Sequence, residues 1–276
     1  MKRHLSHLAD RAQRLIARSP HMVRLAILVR NQCRCIIKYR LAESPDVNQT
    51  GEVWLRRAIA PQASYFVDVG ANVGDWLGEV AEVKAGGEFH ALAFEPSSSA
   101  FERLAQRFGG NPNVTLKNAA AGDAPGHAEF FEEYEAGKGS SLVSGFVSTA
   151  GFKRAVPVVC LDDEVRALGW DRIDFLKIDA EGYDMRVISG ARALLEQQRI
   201  GAVQFEYNRS WQLAGDTLYS AISFLERFGY ETFVLKRDGL YTLNYALYEE
   251  YFEYSNFVAL APRFTELKAD WFRGTI

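Results

Sequence analysis

A chain of 276 residues with 48% hydrophobic, 13% aromatic and 24% charged side chains can bury one large core, which excludes disordered, collagen-like and low-complexity classes. Three cysteines, Cys33, Cys35 and Cys160, are too few and too badly spaced for a disulfide framework or a zinc site, and suit a reducing compartment. No run of about 18 apolar residues is present to span a membrane. Lys2 and Arg3 are not followed by an uninterrupted apolar stretch, so no secretory leader is expected.

The net charge of −3 is unevenly spread. Residues 1–40 hold ten basic side chains and one acid, Asp10. The rest of the chain is therefore strongly acidic. Leu5, Leu8, Ala12, Leu15 and Ile16 recur at spacings of three and four, the pattern of an amphipathic helix. Pro20 breaks it, and a second helical segment runs from Met22 to Arg40 with Leu25, Leu28, Val29, Ile36 and Ile37. Two basic helices of this kind suit an anionic membrane surface, or a cap whose apolar face packs on the main domain. A nucleic-acid partner is not expected, because Tyr39 is the lone aromatic here and the remainder is acidic. We divide the chain into a basic helical extension, residues 1–60, and a main domain, residues 61–276.

Ser44-Pro45-Asp46 reads as a linker and Glu52 to Ile59 as a short helix. Strands are expected at Tyr65–Val69, Glu88–Glu95, Val114–Asn118, Ala128–Phe131, Val156–Cys160, Ile173–Ile178, Ile200–Tyr207, Glu231–Leu235 and Asn256–Leu260. Between them come helices at Asp75–Val83, Ser97–Phe108, Asp184–Gln197 and Thr217–Phe228. Gly137–Gly145, rich in small residues, and the region Trp211–Thr217 are expected to cover an acceptor. Tyr183, Tyr207 and Trp211 offer flat faces for a ring, and the tyrosine-rich stretch Tyr241–Tyr254 would shape the acceptor site or a dimer contact. Alternation of strand and helix predicts an open, mostly parallel α/β sheet with helices on both faces. Such sheets bind ligands at the carboxyl ends of their strands.

The first chemical signal lies there. Asp68-x-Gly70-x-Asn72-x-Gly74 spans the turn from the first strand to the first helix. Asp75 stands where a dinucleotide fingerprint needs its third glycine, and no Gly-Lys-Ser/Thr follows, so a phosphate ligand is disfavoured. Glu95, ending the second strand, can take both hydroxyls of a ribose. S-adenosylmethionine, a nucleoside without phosphate, fits both features. The run Asp174-Phe-Leu-Lys-Ile-Asp179-Ala-Glu181-Gly182 delivers Lys177, Asp179 and Glu181 to the same edge, and Glu206 ends the next strand.

Together with Phe94-Glu95-Pro96, Asn118-Ala119-Ala120, Leu161-Asp-Asp163 and Phe205-Glu206, these motifs resemble the FkbM-type family of class I S-adenosylmethionine-dependent methyltransferases from about Tyr65 to Leu260. Asp184 stands where that family usually has Glu. The resemblance implies a Rossmann-like seven-stranded, mostly parallel sheet and methyl transfer, usually to a hydroxyl oxygen. It implies that Asp68, Gly70, Ala71, Asn72 and Gly74 line the methionine end of the cofactor and that Glu95 and Pro96 meet the ribose. Asn118, Ala119 and Ala120 would lie near the adenine, and Asp179 near the transferring methyl. Sugars of glycans or glycolipids, polyketides and other small metabolites are the acceptors to expect, with a glycan or glycolipid sugar preferred. A non-catalytic cofactor-binding protein of the same fold is the alternative.

A hydroxyl acceptor needs a base. Asp179 is the first choice, Glu206 the second and Glu181 the third, with Lys177 orienting or balancing them. Asp179, Glu206 and Asn208 are the residues that would hold a divalent metal, which is not favoured. The expected location is cytoplasmic, with possible peripheral contact at the inner face of a membrane through residues 1–40 and a possible homodimer.

Overall fold

The computed structural model describes residues 10–41, 51–84, 86–132, 140–143, 152–264 and 270–276. The chain separates into two compact units, 1–42 and 43–276. The helix Gly51–Ile59, grouped above with the extension, falls in the second unit.

The first unit is helical over 10–16 and Pro20–Leu41. Pro20 opens the second helix, where its missing N–H costs nothing. Met22, Leu25, Val29 and Ile36 fall along one face at helical spacing. Arg30, Arg34 and Lys38, four apart, follow another. No described helix is long and apolar enough to cross a membrane. Lys2, Arg3, Leu5, Leu8 and the Ser44–Asp46 linker lie outside the described residues.

The second unit is built on a sheet of nine strands, where seven mostly parallel strands were expected. In its parallel heart β1 (Tyr65–Val69) lies between β2 (His90–Phe94) and β7 (Ile173–Ile178), with β3 (Val114–Lys117) beyond β2 and β8 (Ile200–Tyr207) beyond β7. The order 3-2-1-7-8 reverses direction at β1. Right-handed crossovers then place the connecting helices on opposite faces and open a crevice at the carboxyl ends of β1 and β7.

The additional strands follow β8. β11 (Ser255–Leu260) runs antiparallel to it, and β9 (Glu231–Lys236), β10 (Gly239–Thr242) and β12 (Phe272–Thr275) extend the edge. Because β11 is antiparallel, its first residue, Ser255, faces Tyr207 at the carboxyl end of β8. The segment just before β11 is thereby carried to the crevice. A separate three-stranded sheet is formed by β4 (Ala120–Ala121), β6 (Phe152–Val159) and β5 (Gly126–Glu132).

The strands at the heart are apolar on both faces, as burial beneath two helical layers requires. Phe66, Phe175, Phe205, Phe233 and Phe257 are fully buried. Ser97 caps the helix Ser98–Phe108, accepting from the Ala100 N–H. The expected helix Asp184–Gln197 is broken into Asp184–Ser189 and Arg192–Glu196 at Gly190, which packs against the Gly122 carbonyl and has no room for a Cβ.

Candidate functional site

The turn after β1 is dictated by contacts at the sheet edge. Val69 accepts from the Asp179 N–H at 2.9 Å, and Gly70 and Ala71 both donate to the Phe94 carbonyl at 3.0 Å. This joins β1, β2 and β7 just beyond their ends. Gly70 has φ 79° and a Cβ there would run into the Asp179 carbonyl, so only glycine fits. Asn72, at φ 48°, turns its N–H onto Glu95 Oε2 at 2.8 Å. Ser97 N–H donates to Glu95 Oε1 at 2.7 Å.

Glu95 is thus held by the two segments flanking it, and each oxygen keeps a further lone pair. Burial is the main reason its carboxyl is raised to about 7. The Asp68 and Glu132 charges add to the rise, while the two N–H donors oppose it. Beside Glu95 opens a cavity of about 800 Å³, within the range that holds a small-molecule ligand. Gly70, Ala71, Asn72, Glu95, Pro96, Ala119 and Ala120 lie on its wall, and so do Lys177, Asp179, Glu181 and Glu206.

Four of the expected site residues stand behind that wall. Asp68 is 2% exposed and turns toward Lys177, whose Nζ lies 3.5 Å away. Gly74 backs onto Leu104 and Phe108. Asn118 donates its amide to the Glu95 and Pro96 carbonyls at 2.8 and 3.3 Å. Asn208 donates to Glu206 Oε1 and accepts from the Ser210 N–H at 2.8 Å. It therefore serves the loop after β8 and is not set among ligands for a metal. No group of three or more His, Cys, Asp or Glu able to hold a metal occurs among the described residues.

The acids at the ends of β7 and β8 form the electrostatic centre. Lys177 Nζ reaches Asp179 Oδ2 at 3.3 Å. Although burial opposes its charge, the Asp179 and Asp68 carboxylates hold Lys177 above the usual lysine range. Burial pushes the Glu181 carboxyl to about 8, helped by Asp179 and Asp184. Burial likewise raises Asp184 to about 7 and Glu206 well above the carboxylate range, with Asp179 the next cause for each. Glu181 sits at φ 49°, a left-handed conformation costly for a side chain with a Cβ. Its carbonyl is held by the Ser141 hydroxyl at 2.7 Å.

Of the expected cover Gly137–Gly145, residues 140–143 are described, and Ser140, Ser141 and Leu142 lie on the cavity wall. Tyr207 and Trp211 are fully buried, so neither offers a face to a ring. Trp211 Nε1 instead donates to the Glu206 carbonyl at 2.8 Å and braces the end of β8. Tyr183 is not on the wall either. Glu52, Arg56, Trp76, Glu79 and Tyr254 are on it and were missed. The one sequence signal for the first two is their spacing of four on a helix. Tyr254 stands in the tyrosine-rich stretch singled out above.

The wall can accept hydrogen bonds from a ligand's hydroxyls. Glu95 has lone pairs to accept a diol. Asp68, buried behind the loop, faces Lys177 at 3.5 Å, and burial raises its carboxyl above the usual range while Lys177 opposes the rise.

A model of the methyltransferase FkbM domain family matches residues 68–232, more than half of the chain. No curated protein matches the chain. Among solved structures, the chain is similar to the methyltransferase FkbM from Methylobacillus flagellatus KT, at 15% identity and TM-score 0.47, over 71% of this chain and 43% of that one. It thus spans less than half the length of that protein. It is also similar to precorrin-6y C5,15-methyltransferase from Geobacter metallireducens GS-15, at 14% identity and TM-score 0.39, over 76% and 87% of the two chains. A third is the O-methyltransferase TomG from Streptomyces achromogenes, involved in tomaymycin synthesis and solved with SAM, at 13% identity and TM-score 0.39, over 80% and 82%.

Proposed function

Because this chain belongs to the methyltransferase FkbM family, we propose that it moves a methyl group from S-adenosylmethionine to a hydroxyl oxygen, on a sugar of a glycan or glycolipid. The observation that carries this reading is the convergence of Glu95 with Asp179, Glu181 and Glu206 on one cavity. S-adenosylmethionine, when bound, supplies an already activated methyl on a sulfonium. The protein must then position the acceptor and remove its proton.

In this reading Gly70, Ala71 and Asn72 hold the methionine end, Glu95 the ribose, and Ala119 and Ala120 border the adenine. Asp68 acts through Lys177. Asp179, the least enclosed of the acids around Lys177, takes the hydroxyl proton, with Glu206 and Glu181 behind it as proton reserves. Lys177 keeps Asp179 oriented. The acidic surroundings also favour a cationic sulfonium over its neutral product.

Isothermal titration with S-adenosylmethionine and S-adenosylhomocysteine tests the reading. Binding of both, weakened by about 2 kcal/mol in Glu95→Ala, supports it. No binding of either overturns it.

The basic N-terminal helix is proposed to lie on an anionic membrane surface, at the cytoplasmic side. Its basic row and its apolar face support this.

A further inference from the structure

We propose that the wall formed by Glu52, Arg56, Trp76 and Tyr254 is the acceptor subsite, and that it takes an uncharged, polyhydroxylated ring in preference to a phosphorylated or carboxylated one. This rests on the methyl-transfer reading and names its substrate class.

The four residues share the 800 Å³ cavity with Glu95 and Asp179. They reach it by packing. Glu52 and Arg56 come from the helix Gly51–Ile59, and Tyr254 is carried there by the antiparallel pairing of β11 with β8. The Asn256 amide joins two of them, donating to Glu52 Oε1 and to Tyr254 Oη at 3.2 Å each. Tyr254 accepts in that bond, so its own O–H is left to donate toward a ligand.

Two further donors lie enclosed beneath the wall. Arg56 is 3% exposed, and its Nη2 pairs with Glu79 while Nε has no partner among the described residues. Trp76, equally enclosed, leaves its indole N–H unpartnered among them.

The charge of the wall decides what kind of oxygen it takes. Glu52, Glu79, Glu82 and Glu206 surround the subsite. Among the described residues the cations on the cavity wall are Arg56, Arg107 and Lys177, and each already pairs with a carboxylate. A phosphate or carboxylate would meet Glu52, Glu79 and Glu82 there, with no uncommitted cation among the described residues to receive it. A hydroxyl can accept from Tyr254 and donate to Glu52 or Glu206, and a ring face suits Tyr254 and Trp76.

Saturation-transfer NMR tests this on the full chain with S-adenosylhomocysteine present. The probes are neutral methyl hexosides and 6-deoxyhexosides, their 6-phosphates and their uronates. The expected result is binding of at least one neutral glycoside, at least about tenfold weaker binding of its anionic counterparts, and about tenfold weaker binding to Glu52→Gln and Tyr254→Phe, the scale of a lost charged hydrogen bond. Unchanged S-adenosylhomocysteine affinity in both variants shows that they remain folded. Equal or tighter binding of the anionic members, or no binding of any probe to protein that binds S-adenosylhomocysteine, overturns the subsite. Failure to bind S-adenosylhomocysteine overturns the methyl-transfer reading first, and the subsite with it.

Discussion

Lys177 and Asp179 project to the same side at the end of β7, and their charged groups meet at 3.3 Å between Asp68 below and Glu206 beside them. Period-two geometry makes the pair, since residues i and i+2 of a strand share a face. Burial makes it consequential. Among the described residues Lys177 is the one cation paired with both Asp68 and Asp179, and its side chain is 7% exposed.

Lys177→Met should therefore be severely destabilising. It leaves the buried Asp68 without its counter-charge, a loss on the order of 3 kcal/mol or more. Urea denaturation reads it directly. A variant within about 1 kcal/mol of wild type would show that Asp68 is held neutral without lysine.

Glu95 ties the cavity to stability. Its carboxyl is raised from 4.5 to about 7, so the folded state binds the proton more tightly than the unfolded chain. That contribution is complete below about pH 4.5 and fades as the pH climbs through 7. The span amounts to roughly 3 kcal/mol. Melting temperature measured between pH 5 and 8 should fall, and Glu95→Gln should flatten the fall. S-adenosylhomocysteine should bind better as Glu95 ionises, since the carboxylate is the stronger acceptor for a diol.

Turnover should depend on the acid cluster. Glu181, the reserve behind Asp179, can take the proton on only when it is itself deprotonated, and it gives up its own proton at about 8. The rate should rise with pH through that region, and Glu181→Gln should remove or displace the rising limb. A flat profile in the wild type would dissociate the cluster from proton removal.

The membrane proposal predicts co-sedimentation of the full chain with phosphatidylserine vesicles, weakening as salt screens the charges. Reversing Arg30, Arg34 and Lys38 to Glu should release it, while neutral phosphatidylcholine vesicles should retain little of either form. Equal binding by wild type and variant would remove the helix from the account.

Much of the cavity wall was legible in the amino-acid order because it is local. A strand, a turn and a helix within ten residues place Gly70 and Asn72. Glu95 and Asp179 sit at strand ends, which alternation locates without knowledge of the fold. Only the three-dimensional structure separated wall from support, and set Asp68, Gly74, Asn118 and Asn208 behind the surface. Tyr207 and Trp211 looked like exposed platforms because composition carries no sign of burial. Packing under β11 turned both inward.

The sequence by itself determined the parallel heart, the glycine turn and the acids at its edge, since period-two alternation and left-handed backbone requirements act between neighbours in the chain. The tertiary structure decided the sheet's nine strands and the far wall of the cavity. Glu52 and Asn256 hydrogen-bond across 204 residues, and Tyr254 arrives only because β11 runs antiparallel to β8. Such contacts arise from how completed elements pack together, and no spacing within a single segment encodes them.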